Sequence, residues 1–284
     1  MAPQRIALLG LGEAGSLIAA DLVAGGAHVM AYDPRTVPVP AGVKLHASES
    51  QAAADADVVL SVNWASASVA AARAALPGLA AGKLWAELNT SSPALKREVA
   101  EVVGQSGASF VDVALMSNVP GKGVRTPMLV AGPGAERFAA LVRGFGTPVE
   151  VLAGEPGEAA QRKLLRSVFM KGFGSVVVEA LEAARTVGLE GWMASQIQEV
   201  LASPGEARRF DEGTRRHAQR RLHEMEASLD LLTELGAPLA MTKATVATLQ
   251  RLTEGPTGNP VGSMTHDKRK DRTTQPVHEG DRHE

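Results

Sequence analysis

Apolar residues recur through the first half of the chain in short runs, most of them separated by alanine-rich stretches with helical spacing. The runs are 6–11, a second closing on Asp33, then 57–62, 83–88, 109–115, 128–132 and 148–154. Most intervals are too long for hairpins, so strand alternates with helix, and this predicts a mainly parallel sheet covered on both faces. A ligand of such a sheet binds in the crevice beyond the strands' carboxyl ends. The interval between 115 and 128 cannot hold a crossover helix, which predicts antiparallel pairing among the late strands.

The pattern changes at Glu158. Residues 158–188 read as one helix of about 30 residues, roughly 45 Å long and apolar on a wide stripe. That is too long to cover a single sheet, so the helix is expected to bridge two domains and to be buried by a second helical layer, including one from a partner subunit. Gly172 and Gly174 each cost about 1 kcal/mol of helix propensity there, which points to close packing or a kink. Further helices are expected at 190–202, 206–234 and 238–253, with breaks at Pro204-Gly205 and Gly236-Ala237-Pro238. The expected organisation is an α/β domain over 1–157, an all-α domain over 158–262 and a polar, aperiodic tail over 263–284, read as disordered.

The first two apolar runs carry a motif between them. Gly10-x-Gly12-x-x-Gly15 follows the first strand and opens a helix, and Asp33 stands 18 residues past Gly15 at the end of the next strand. Gly10 permits the turn, Gly12 admits a pyrophosphate, Gly15 allows close helix packing, and Asp33 accepts hydrogen bonds from a ribose. The helix's free amides face the phosphates, and Leu11, Glu13 and Ala14 within the motif are further candidates for contact with the cofactor. Together these predict a site for an adenine dinucleotide in a Rossmann-type domain. Arg35, two positions on, is placed to hold a 2′-phosphate, to stack on adenine, or to do neither, while Asp33 repels such a phosphate. NAD is the expected cofactor, with NADP the alternative.

Composition narrows the rest. A formal charge of −2 gives no broad basic field for nucleic acid or an anionic membrane. Zero cysteines excludes disulfides, thiol nucleophiles and Cys-ligated zinc. No apolar run is long enough to span a bilayer, and the first strand starts almost at once, so neither a membrane span nor a signal peptide is expected and the location is expected to be cytoplasmic. The irregular spacing of His266, His278 and His283 argues against a metal site.

A bound nicotinamide needs a proton-handling group near the sheet's carboxyl edge. Lys163 and Lys171, eight residues apart on the long helix, project about 80° apart with Ser167 between them. Helical position alone leaves them either lining a cleft or lying on a solvated face, and the neighbouring Arg162 and Arg166 suit the second arrangement.

Three segments give the chain a wider resemblance. GLGEAG with its helix, "VDVALMSNVPGKGVRTPMLVAG" and "GEPGEAAQRKLLRS" resemble the β-hydroxyacid dehydrogenases, the family of 3-hydroxyisobutyrate dehydrogenase and, more distantly, 6-phosphogluconate dehydrogenase, over about residues 4–255. In that register Lys163 falls on the catalytic lysine. Thr90 in "ELNTSSP" resembles the family's turn beside the nicotinamide, and Val62 and Asn63 occupy its loop after the 57–62 strand.

The departures are also informative. The substrate Ser-Gly-Gly becomes Met116-Ser117-Asn118, so a carboxylate cradle survives only if the turn keeps its shape, although Ser117 and Asn118 can themselves donate. The asparagine after the lysine becomes Ser167, and Lys171 sits where phosphogluconate enzymes contact phosphate. His223 stands near a family lysine that reaches the nicotinamide; it and His217 fit a solvated face equally well. The resemblance implies reversible oxidation of a small, acidic β-hydroxy substrate with lysine as general acid/base, in a homodimer formed through the helical domain. Imine or enamine reduction on the same scaffold and a non-catalytic dinucleotide sensor are the alternatives.

Overall fold

A computed structural model of the chain describes residues 3–202 and 206–254; the side chains of Lys171, residues 206–210 and Ala227 also lie outside the description. The Pro204-Gly205 break, the tail over 263–284 and its three histidines lie outside the described residues.

Eight strands form one sheet in the order β3-β2-β1-β4-β5-β6-β7-β8. They are β1 (Arg5–Leu9), β2 (His28–Tyr32), β3 (Val43–Leu45), β4 (Val58–Ser61), β5 (Leu84–Glu87), β6 (Ser109–Leu115), β7 (Met128–Ala131) and β8 (Val149–Val151). All neighbours pair in parallel except β6 and β7, the antiparallel step that the short interval requires. β3 has no counterpart in the apolar pattern. It is a three-residue edge strand whose Leu45 is half exposed, too short and too open to leave a periodic signal.

Helices α1 (Glu13–Ala24), α2 (Glu49–Ala54), α3 (Ser68–Ala75), α4 (Pro93–Gly104) and α5 (Ala135–Arg143) connect the strands. Core residues lie on both faces of the sheet. One cluster joins Ile6, Leu8 and Val111 to Ile18 and Phe138, and the other joins Ala7, Val59 and Trp85 to Val99 and Val103. Strands buried on both faces read as unbroken apolar runs rather than as alternation, which is the pattern seen in the sequence.

The long helix α6 runs over Glu158–Thr186 and is followed by α7 (Glu190–Ala202), α8 (Glu206–Arg216), α9 (Ala218–Glu234) and α10 (Ala240–Thr253). The segment expected as one helix over 206–234 is two, because His217 leaves helical geometry at φ −116°, ψ 25°. The chain forms two compact units that divide inside α6 between Phe173 and Gly174. In the second unit Ala218, Leu222, Val246 and Leu249 make a small core between α9 and α10. Glu179 of α6 accepts the Met241 and Thr242 amides that open α10 at 2.6 Å each, and the Thr242 hydroxyl at 2.7 Å. No described helix is long and apolar enough to cross a membrane.

Candidate active site

The parallel strands β1, β2, β4, β5 and β6 all end at the same edge of the sheet, and the loops leaving them carry the candidate residues. After β1 the chain turns at Gly10, with φ +107°, where a side chain would meet the Val62 carbonyl oxygen at 2.5 Å. Gly15 is equally constrained, since a Cβ on it would lie 2.0 Å from the Gly10 carbonyl oxygen. Gly12 differs. A Cβ there would project into the cleft and approach only the Arg35 guanidinium, at 3.9 Å. Gly12 is the N-cap of α1 and supplies no side-chain cap, so the helix's first amides are left for another acceptor.

Asp33 closes the other side of this cleft. Its side chain is almost fully buried, and its carboxylate accepts the Leu11 amide at 2.9 Å, the Arg35 amide at 2.9 Å and the Arg35 guanidinium at 3.1 Å on both oxygens. Burial pushes this carboxyl up, but the Arg35 side chain and the two amides outweigh it and hold it below the usual carboxylate range. The cleft has a volume of about 590 Å³ and is lined by Gly12, Glu13, Ala14, Asp33, Arg35 and Asn63, among others. An open space over a bare helix start, walled by a fixed carboxylate, fits an adenine dinucleotide.

Trp64 also lines this cleft and is 72% exposed, a large indole held at the surface beside the candidate cofactor site. Sequence pattern gave no notice of it, because a single aromatic after a strand reads as core. Beneath it lies a polar cluster of equally low visibility. Glu87, fully buried at the end of β5, accepts the Trp85 indole N–H at 3.2 Å, the Ser68 hydroxyl at 3.2 Å and the Asn89 amide at 2.6 Å. The Asn89 amide nitrogen also lies 2.7 Å from Asn63 Oδ1, so the loops after β4 and β5 are joined from below.

Thr90 follows Asn89. Its hydroxyl accepts a hydrogen bond from Lys163 Nζ at 2.7 Å, bridging the loop after β5 and the first turns of α6. Along this part of α6, Ala160 is buried, Lys163, Leu164 and Ser167 are half-buried, and Arg162 and Arg166 are exposed. Spacings of three and four put Lys163 and Ser167 on the inward stripe, while Arg162 pairs outward with Glu158 at 2.7 Å. The position of Lys171 on α6 is known, but its side chain is outside the description.

The turn after β6 also leaves at this edge. Met116 tucks into an apolar cluster with Ala114, Ala131 and Ala159, leaving Ser117 and Asn118 as its polar members. Lys122 donates to the Ser117 hydroxyl at 3.1 Å and is an exposed cation beside the expected substrate turn, which the sequence did not single out. His217 and His223 are exposed on the helical unit, His223 lying 3.2 Å from Gln219 Nε2. Among the described residues no group of three or more His, Cys, Asp or Glu side chains is placed to hold a metal ion.

A glycine-turned helix start, a buried carboxylate at the end of the second strand and a lysine at the sheet's carboxyl edge define the class of the nicotinamide-dependent oxidoreductases. Comparison with known proteins gives the lineage. Residues 5–142 match the NAD-binding domain of 6-phosphogluconate dehydrogenase, and residues 184–252 match a domain of unknown function, DUF1932. The chain is 29% identical over 203 residues to a 3-hydroxyisobutyrate dehydrogenase of Pseudomonas aeruginosa, covering 68% of each. A conserved hypothetical protein from Sinorhizobium meliloti 1021 has a similar solved structure, with 30% identity, 88% of each chain covered and a TM-score of 0.60. An imine reductase from Myxococcus stipitatus, solved in complex with NADP+, shares the fold at 18% identity and a TM-score of 0.75, over 89% of this chain and 94% of that one. The chain belongs to the β-hydroxyacid dehydrogenase family and carries its NAD-binding domain.

Proposed function

We propose that the protein reversibly oxidises a small β-hydroxy acid, with NAD as the preferred cofactor and Lys163 as the group that moves the proton. When bound, the nicotinamide supplies the acceptor for the hydride leaving the carbinol carbon. The observation that carries the reading is the 2.7 Å hydrogen bond from Lys163 to Thr90, which ties the one lysine on the inward stripe of α6's first turns to a loop at the carboxyl edge. As a neutral amine Lys163 takes the hydroxyl proton, and in reverse its ammonium returns it. Thr90 orients the amine. Ser167, one turn further on the same stripe, is placed to orient the substrate hydroxyl.

Ser117 and Asn118 donate to the carboxylate, and the Lys122 and Lys171 cations favour an acidic substrate over a neutral one. The bonds from Arg35 to Asp33 bear on the choice of cofactor. They offset the charge that would repel a 2′-phosphate, so NADP is the weaker but usable cofactor. The apolar side chains exposed on α6 and α7 support a homodimer formed through the helical unit.

Imine reduction is the second reading. The observation favouring it is that Met116 joins an apolar cluster where the family's carboxylate cradle has a small residue. A panel of β-hydroxy acids, sugar acids and cyclic imines, followed by reduced-nicotinamide absorbance with both cofactors, separates the two. Turnover confined to imines with NADPH would overturn the first reading. In the same assay Lys163→Ala should keep NAD affinity within severalfold and lose about 100-fold or more in turnover. Unchanged turnover would remove Lys163 from the reaction.

A further inference from the structure

A buried ion pair lies beside the crevice that Lys163 lines, and the reaction outlined above gives it no part. Lys96 of α4, 1% exposed, sits on a stripe otherwise made of Val99, Val102 and Val103. Its Nζ is 3.2 Å from Asp112 Oδ1 of β6, whose side chain is wholly buried. Two apolar side chains of similar volume would fill this place without desolvating two charges, so stability alone does not account for the pair.

The hydrogen bonds around it suggest another task. Asp112 Oδ2 accepts the amides of Gly157 and Ala160 at 3.0 Å each, which fixes the first turn of α6. Gly157 itself is pressed against the start of α4, since a Cβ there would lie 3.0 Å from the Pro93 carbonyl oxygen. On the other side Lys96 donates to the backbone carbonyl of Glu87, the last residue of β5, and to that of Val113 at 3.3 Å. Lys163 is one turn past Ala160, and Thr90 is three residues past Glu87. The pair therefore holds both elements that the Lys163 to Thr90 bond connects, and Lys96, Thr90, Ala160 and Lys163 line one small crevice.

We infer that Asp112 and Lys96 are positioning residues that set where the Lys163 amine stands against Thr90. The inference rests on Lys163 as the proton-handling group, and its test has a readout independent of turnover. Two double variants of the full chain separate the roles. Asp112→Ala/Lys96→Met removes both charges and the acceptor for α6, whereas Asp112→Asn/Lys96→Met removes the charges and keeps a carbonyl acceptor. Each is measured for NAD affinity, for kcat and KM on the best acid of the panel, and for the titration of Lys163 by NMR after reductive 13C-methylation, the signal being assigned by its loss in Lys163→Arg.

The alanine double variant should bind NAD within about threefold of the parent and lose about 30-fold in kcat, the cost of a misplaced catalytic group. Its Lys163 titration midpoint should move, and the asparagine double variant should recover most of both properties. Parental kcat and an unmoved midpoint in the alanine variant would overturn the inference. So would loss of NAD binding in parallel with kcat, which makes the pair a general structural element, or equal damage in the asparagine variant. Lys163→Ala, assayed alongside, separates the two claims: if it turns over normally the catalytic reading fails, while the methyl titration still reports whether the pair places the amine.

Discussion

In the sheet unit β1 and β5 hide Ile6, Leu8, Leu84 and Trp85 almost completely, whereas α6 and α7 of the helical unit leave Val178, Trp192 and Leu201 between 54% and 60% exposed. Each unit also buries a carboxylate that holds the start of a helix. Asp112 holds α6 with a lysine as counter-charge, and Glu179 holds α10 with the help of a threonine hydroxyl. The sheet unit covers both faces of its sheet within one chain and places its buried charges beside the candidate chemistry. The helical unit keeps a wide apolar surface and uses its carboxylate to join two of its own helices, which suits a module completed by another surface.

The largest expected effect tests the sheet unit's buried charge. Lys96→Met alone leaves Asp112 ionised without its counter-charge and should cost about 3 kcal/mol, near the low end for a broken buried pair because the start of α6 still faces the carboxylate. Urea unfolding measures it, and a loss under about 1 kcal/mol would show that water reaches the site. The helical unit should respond in association rather than in folding. Trp192→Glu combined with Leu201→Glu is expected to weaken self-association by about tenfold or more, read by analytical ultracentrifugation across a concentration series. A parent chain that sediments as a monomer at every concentration would refute the dimer.

Asp33→Ala returns to the sheet unit with a smaller effect. NAD affinity should fall by about tenfold while NADP affinity changes little, since the variant loses the bonds proposed to the ribose hydroxyls and at the same time releases the Arg35 guanidinium from its carboxylate partner. Tighter binding of NADP than NAD by the parent would reverse the cofactor preference. The smallest effect is that of pH on the helical unit. Burial pushes the Glu179 carboxyl up, but the Thr242 hydroxyl and the amides of Met241 and Thr242 outweigh this and hold it below its ordinary value. A depressed carboxylate contributes stability above its unfolded pKa of about 4.3, and that contribution is lost as pH falls through the folded value. Thermal melts between pH 7 and pH 3 should therefore decline more steeply in the parent than in Glu179→Gln. Parallel curves would leave Glu179 without a role in acid stability.

Legibility differed between these regions for physical reasons. The sheet strands stood out because burial on both faces makes each one a continuous apolar run, and Asp33 stood out because it ends such a run at a fixed distance from the glycines. β3 was too short to signal. The break at His217 was hidden because the charged residues on both sides keep helical spacing. Trp64 and Lys122 carry no pattern of their own, and Lys96 resembles any surface lysine until its stripe of valines is seen to face the sheet.

The sequence by itself determined the alternation of elements, the glycine-turned entry to α1, the carboxylate that follows it and the helix that bears Lys163, because each is written in local spacing. Only the tertiary structure decided that Lys163 meets Thr90, that Arg35 covers Asp33 and that Lys96 pairs with Asp112. Spacing along a chain specifies which face a side chain occupies, but which faces meet depends on strand order and on how residues far apart in the chain fill one volume.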